Sequence, residues 1–178
     1  FRLPASMNQV EYFGRGPAEN YLDRNAGSMI GLYKSTAEEL YFPYVRPQEN
    51  GHHTDTRWVS LSTGKKGLLI QADNTIGFNA LRNSIEDFDD EEATGLPRQW
   101  SNFTPEQVAN HDEAAAKNVL RRQHHINDIT PRDFVEVCVD LKQQGVAGYD
   151  SWGSRPEPAY TLPANREYNW GFTLIPLK

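Results

Sequence analysis

A single cysteine, Cys138, occurs among the 178 residues, so an internal disulfide is excluded and the fold must be stabilised by packing. No apolar run approaches the roughly 20 residues that a membrane-spanning helix needs. Basic residues are few and scattered: 18 Lys and Arg stand against 24 Asp and Glu, for a formal net charge of -6. Because nucleic acids and anionic membranes bind clustered basic surfaces, neither is expected as a partner.

The composition predicts one folded domain. Hydrophobic residues make up 38% of the chain and aromatic residues 11%, which is enough for a core. A length of 178 residues suits one domain better than two, so we expect residues 1–178 to form a single domain. The chain opens at Phe1 with no initiator methionine and no leader-like segment, which favours a segment of a longer protein.

Short alternating segments bounded by turn residues recur along the chain and predict an all-β fold. The six segments are NQVEYFG (8–14), SMIGLYKS (28–35), RWVSLST (57–63), KGLLIQAD (66–73), DFVEVCVDL (133–141) and EYNWGFTLIPL (167–177). The glycine-containing STGKKG predicts a hairpin between the third and the fourth segment. In the fifth segment, the alternation predicts that the valine face packs inward.

The region between the fourth and the fifth segment departs from this pattern. In NFTPEQVANHDEAAAKN (102–118), Thr104 suits a helix cap, Pro105 the first helical position and Gln107 a capping box. This pattern predicts one short helix on the β scaffold. The acidic stretch 84–95 has no periodicity and is typical of a solvated loop, with weak Ca²⁺ binding as the alternative.

Three clusters combine polar and aromatic residues with glycine or proline. They are EYFGRGPAENYLDR (11–24), FPYVRPQENGHHTDTRW (42–58) and GYDSWGSRP (148–156). In the first cluster, glycines and a proline impose a tight turn, after which charged and amide side chains can bond one another or the backbone. The pattern favours a rigid corner held by polar bonds.

Two pairs of adjacent histidines, His52–His53 and His124–His125, are candidates for metal binding or acid–base chemistry. Adjacent residues of a strand point to opposite faces, so neither pair is expected to share a metal. A histidine acting as acid or base in a pocket, together with Glu49, remains as an alternative.

Trp152 lies among glycines and prolines, where neither a helix nor a long strand persists. A sugar presents an apolar face of C–H groups and a rim of hydroxyls, so its site needs a flat aromatic ring and polar neighbours. Trp152 beside Asp150 and Ser151 meets that description. The alternative, left open by composition, is that Trp152 folds back into the core.

Three segments together, YFGRGPAENYLDR (12–24), YVRPQENGHHTDTRW (44–58) and GYDSW (148–152), resemble the C-terminal domain of large bacterial β-galactosidases of glycoside hydrolase family 2. The resemblance covers nearly the whole chain in the same order. It implies an antiparallel β-sandwich, a supersandwich of the galactose mutarotase-like type with one or two short helices. Residues 1–178 would then be the C-terminal part of the terminal domain of a longer enzyme.

The resemblance also implies a function. The family hydrolyses terminal β-D-galactosides such as lactose with retention, using two carboxylic acids on a central (β/α)₈ barrel that also carries Mg²⁺ and Na⁺. This chain shows no βαβ alternation, so we assign it no catalytic residue, metal ligand or cofactor, and we expect it to be inactive alone.

For the site, the resemblance implies that Trp152 contacts the sugar, with Asp150 and Ser151 as its neighbours. The expected partners are the rest of the enzyme with its barrel, the galactoside, and further copies in a homo-oligomer. Two alternatives are a free carbohydrate-binding module and a mutarotase-like epimerase. The epimerase would use Glu49 with one of four histidines: His52, His53, His124 or His125.

Overall fold

The computed structural model describes residues 1–88, 126–150 and 152–178. The helix predicted within 102–118, most of the acidic stretch, His124, His125 and Ser151 lie outside the described residues. The described residues fall into two compact units. Among the described residues, the first unit comprises 1–42, 50–82, 133–150 and 152–178, and the second comprises 43–49, 83–88 and 126–132. The single domain expected for residues 1–178 stays a prediction.

The first unit is built on one sheet of seven antiparallel strands. The strands are β1 (Arg2–Pro4), β2 (Gln9–Gly16), β3 (Met29–Thr36), β4 (His53–Ser62), β5 (Gly67–Leu81), β6 (Phe134–Asp140) and β7 (Phe172–Leu177). Their spatial order is β1-β6-β5-β4-β2-β3, and β7 also pairs with β5. The described helices are three short 3₁₀ turns, Ile85–Asp87, Ile126–Asp128 and Pro158–Tyr160. The predicted all-β class is confirmed, and the architecture is consistent with a β-sandwich.

The six predicted strands correspond to β2 through β7. The hairpin between β4 and β5 is also confirmed, since Ser62 pairs with Gly67 and the Thr63 N–H donates to the Lys66 carbonyl at 2.9 Å. β1 escaped prediction because three residues are too few to show a period. β5 runs eight residues past the predicted end at Asp73.

Because β5 is longer than predicted, it pairs with three other strands of the sheet, β4, β6 and β7. Residues 67–72 of β5 pair with β7, and residues 77–81 pair with β6. Opposite the region between them, the register with β4 is irregular, because two steps along β4 match five steps along β5. Such an irregularity bends a strand. The first half of β5 therefore pairs with β7 and its second half with β6, on either side of the irregular stretch.

The core lies on one face of β2, β4 and β5. Tyr12, Val59 and Ile70 pair across these three strands, and each is fully buried. On β6, Val135 and Val137 are also fully buried, which confirms the inward valine face. Alternation on neighbouring strands in register therefore builds a continuous apolar layer, stabilised by about 25 cal/mol for each Å² removed from water.

In the second unit, Asp87 is buried and forms a bidentate ion pair with Arg132. Asn83 donates to the Thr130 carbonyl at 2.8 Å, and the Ser84 N–H donates to Asp87 at 3.0 Å. Burial alone would raise the pKa of Asp87, but the bonds from Arg132 and Ser84 outweigh it and lower the pKa.

None of the helices seen in the described ranges has the length and apolar character to span a membrane.

Candidate functional site

The first polar cluster forms a corner around the side chain of Asn20, which is fully buried. Its Nδ2 donates to the carbonyls of Arg15 and Ala18, both at 3.1 Å. Its Oδ1 accepts the N–H of Thr54 at 3.0 Å and the Thr54 hydroxyl at 2.6 Å. All the hydrogen-bonding groups of the amide are used, and the corner is thereby bonded to β4.

Charged residues strengthen the junction between the first and the second cluster. Glu19 accepts the Gly51 N–H at 2.7 Å and the Arg24 guanidinium at 2.5 Å. Arg15 donates to Asp55 at 2.6 Å. The polar bonds predicted for the corner are present, and their partners include Gly51, just before β4, and Thr54 and Asp55 at its start.

His53 is a packed core residue. Its ring stacks on Phe78 at a centroid distance of 5.2 Å and meets Tyr12 edge-on at 4.9 Å. Nδ1 lies 2.9 Å from the Gly51 carbonyl oxygen, and Nε2 lies 3.2 Å from the Pro17 carbonyl oxygen. Both neighbours are acceptors, and a neutral imidazole donates to one of them. Burial dominates over these bonds and lowers the pKa of His53.

His52 stacks instead on Tyr21, with centroids 5.5 Å apart. It is 1% exposed, and burial lowers its pKa to about 4. The ring borders a cavity of about 20 Å³ that is also lined by Gln143 and Thr54, which is room for about one water molecule. At neutral pH His52 is therefore an uncharged, enclosed ring.

The backbone just before the third cluster is bonded to Asp23 of the first cluster. Its Oδ2 accepts the Ala147 N–H at 2.8 Å, and its Oδ1 accepts the Val146 N–H at 3.1 Å. The Tyr149 hydroxyl lies 3.5 Å from Oδ2. Sequence reasoning placed Asp23 among the bonding residues of the corner but missed this partner, which is more than 120 residues away.

Trp152 lies at the far end of the same loop, and 94% of its surface is exposed. The Trp152 N–H donates to Asp150 Oδ1 at 2.8 Å, and the Ser154 N–H reaches the same oxygen at 3.3 Å. Asp150 therefore shapes the backbone on both sides of the tryptophan. Of the two open interpretations of Trp152, the structure has the exposed ring and not the core plug. The roles of Trp152, Asp150 and Ser151 in sugar binding stay predictions.

A cleft of about 400 Å³ lies on the same unit and was not predicted from sequence. Its lining includes Leu22 from the corner, Lys142, Tyr160, Arg166 and Tyr168. The Arg166 guanidinium stands 4.9 Å from the ring centre of Tyr168, a cation–π contact. In the corner, Asp23 thus accepts hydrogen bonds from the backbone at 146–147, and its neighbour Leu22 lines the cleft.

Of the four histidines considered for acid–base chemistry, the structure describes His52 and His53. Both rings are buried, and their role as acid or base with Glu49 stays a prediction. No group of three or more His, Cys, Asp or Glu side chains among the described residues is arranged to hold a metal ion.

The curated relatives of this chain include β-galactosidases from several bacteria. It is 34% identical to the enzyme of Priestia megaterium over 99% of the chain, but it covers 14% of that relative's length. It is 28% identical to the Streptococcus thermophilus enzyme over 99% of the chain, and 26% identical to that of Staphylococcus xylosus over 97%. In both cases it again covers 14% of the relative. The family described as "Beta galactosidase small chain" matches residues 1–174, and this chain belongs to it.

Proposed function

We propose that this chain is a non-catalytic segment of a retaining β-galactosidase that hydrolyses terminal β-D-galactosides such as lactose. It spans about one seventh of the length of its relatives from Priestia megaterium and Streptococcus thermophilus, both of which are named β-galactosidase. The segment supplies scaffold and one aromatic sugar contact, and the catalytic glutamates belong to the (β/α)₈ barrel of the complete enzyme.

The observation that carries the proposal is the exposure of Trp152. A tryptophan that is 94% exposed gains little from folding, yet its backbone is bonded to Asp150 and its loop to Asp23. A fixed, exposed aromatic ring suits the apolar face of a sugar. We assign the ring to the aglycone side of the galactoside, with Asp150 and Ser151 forming its surroundings.

Cofactors and partners follow from the same proposal. By the family resemblance, the Mg²⁺ and Na⁺ of the enzyme are assigned to its barrel. The partners of the segment are the rest of the enzyme and, through it, further copies in a homo-oligomer.

The test is a change of Trp152 in the complete β-galactosidase that contains this segment. Trp152→Ala is expected to raise KM for lactose about tenfold, which corresponds to about 1.4 kcal/mol of lost contact, and to reduce galactosyl transfer to glucose. Trp152→Phe keeps an aromatic face, so we expect a smaller rise in KM and a smaller loss of transfer than in Trp152→Ala. The matched control is Trp170→Phe, since Trp170 is also exposed but packs against Phe172. Unchanged KM and transfer in Trp152→Ala would refute the assignment.

A second candidate, a free carbohydrate-binding module, is favoured by the same exposure of Trp152. Titration of the isolated chain with galactose, glucose and lactose separates the two functions. Saturable quenching of tryptophan fluorescence that Trp152→Phe abolishes would support the module. The β-galactosidase segment is expected to show neither this response nor hydrolysis of nitrophenyl galactoside.

A further inference from the structure

We infer that Asp23 is a positioning residue for sugar binding, because it sets the backbone from which Trp152 projects. This inference rests on the proposed function of Trp152. It adds a residue that makes no contact with the sugar and lies 129 positions before the tryptophan in the sequence.

The first step is the geometry of the carboxylate. Its two oxygens accept the consecutive N–H groups of Val146 and Ala147, at 3.1 and 2.8 Å. Bonds from a backbone N–H to an ionised carboxylate are stronger than neutral ones. Two such bonds to adjacent residues fix the direction of the loop as well as its distance from the corner.

The second step is the conformation that these bonds hold. Ala147 has φ of 55° and Gly148 has φ of 85°, so the chain is left-handed at two successive residues. A non-glycine residue rarely adopts this conformation, and it persists where its surroundings impose it. The Ala147 N–H bonded to Asp23 is such a constraint. The turn at 147–148 then directs the chain toward Asp150 and Trp152.

The third step is that the loop and the carboxylate fit without spare room. A Cβ added at Gly145 would lie 2.5 Å from Asp23 Oδ2, so residue 145 approaches the carboxylate as closely as a glycine allows. The Gly145 N–H also donates to the Tyr160 carbonyl at 2.8 Å. The backbone is therefore bonded at three successive residues, 145 to 147, before the chain reaches Trp152.

The fourth step is the rigidity of the support. Arg24 donates its N–H to the Tyr21 carbonyl at 2.8 Å, which closes a tight turn around Asp23. The preceding Asn20 is bonded to Thr54 of β4. The short segment 20–24 is thus bonded to the sheet through Asn20 and, three residues further on, to the backbone at 146–147 through Asp23.

The test is a double-mutant cycle in the complete β-galactosidase. Asp23→Asn is nearly isosteric, but it leaves one acceptor oxygen and places an NH₂ group against one of the two loop N–H groups. We expect it to raise KM for lactose about threefold or more and to reduce transfer to glucose. In the Trp152→Ala background the same change is expected to have no further effect. Asp133→Asn, at an exposed carboxylate before β6, is the matched control.

A second readout follows the loop itself. Hydrogen exchange of the amides at 146–147, measured by mass spectrometry, is expected to accelerate in Asp23→Asn and to stay unchanged in Asp133→Asn. An equal KM effect of Asp23→Asn with and without Trp152 would overturn the inference, since it would indicate a general structural role. Unchanged exchange at 146–147 would overturn it as well.

Failure of the inference differs visibly from failure of the proposed function. If Trp152→Ala raises KM while Asp23→Asn leaves it unchanged, the sugar contact stands and the positioning role falls. If Trp152→Ala itself has no effect on KM or transfer, the proposed function falls, and the role of Asp23 in sugar binding falls with it.

Discussion

Asn20 accepts two hydrogen bonds from Thr54 through a single oxygen, one from the backbone N–H at 3.0 Å and one from the hydroxyl at 2.6 Å. Its NH₂ group donates to two carbonyls of its own corner. The amide is fully buried, so no water can replace a lost partner. Besides the Arg15–Asp55 ion pair, the corner and β4 are joined by this side chain, whose donor end and acceptor end cannot be exchanged.

Asn20→Asp is therefore expected to destabilise the fold strongly. The new carboxylate oxygen would face the carbonyls of Arg15 and Ala18, and a buried acceptor without a donor is costly. We expect the free energy of unfolding to fall by about 2 to 4 kcal/mol, measured by urea denaturation. The control is Asn169→Asp, the same change at an exposed side chain. We expect this control to shift the free energy of unfolding by less than about 0.5 kcal/mol. Equal stability of the two variants would contradict the role of Asn20.

Much of this fold is visible in the sequence because its signals are local. Alternation over seven or more residues marks β2 and β6, and glycines mark the β4–β5 turn. β5 was predicted too short because Asp73 and Asn74 resemble a turn. The structure accommodates them in an irregular stretch of the ladder with β4, and only the partner strand specifies that arrangement.

The site is a harder case, because its decisive contacts join residues far apart in the chain. The corner was predicted to be held by polar bonds, but its bonds to Thr54 and Val146 depend on the tertiary fold. The exposure of Trp152 could not be decided from composition, since a loop tryptophan packs or projects according to its surroundings. The resemblance to β-galactosidases suggested the sugar contact of Trp152. The structure adds the hydrogen bonds by which Asp150 and Asp23 hold the backbone near this residue.

The buried imidazole of His52 gives the fold a defined pH dependence. Burial lowers its pKa to about 4 in the folded chain, against about 6.5 in an unfolded chain. Above about pH 6.5 both states are neutral and the ring adds no dependence. As the pH falls from 6.5 to 4, the unfolded chain binds a proton that the folded chain does not, so this group reduces stability by up to about 3 kcal/mol.

His52→Phe removes the titrating group and keeps a ring against Tyr21. We expect the unfolding free energy of this variant to fall less steeply than that of the wild type between pH 6.5 and 4, as measured by urea denaturation at several pH values. An NMR titration gives a direct check. A His52 resonance that titrates near pH 6.5 in the folded chain would contradict the prediction.

Gly145→Ala tests the close approach of the tryptophan loop from the side opposite to Asp23. The added Cβ would lie 2.5 Å from Asp23 Oδ2 and 3.0 Å from Tyr160 Cβ, so the carboxylate or the loop must move. We expect the complete enzyme to show a KM for lactose raised about threefold or more, with reduced transfer to glucose. Overpacking of this kind also costs about 1 to 3 kcal/mol of stability, so the thermal midpoint is recorded alongside.

The matched control is Gly27→Ala, because a Cβ at Gly27 meets no atom within 4 Å. If Gly145→Ala acts by displacing Asp23, then adding Asp23→Asn to it should change KM little further, since the same bonds are already lost. Fully additive effects would separate the two residues and attribute the Gly145→Ala defect to Tyr160 instead. A wild-type KM in Gly145→Ala would show that the loop tolerates displacement, and that the position of Trp152 does not depend on this contact.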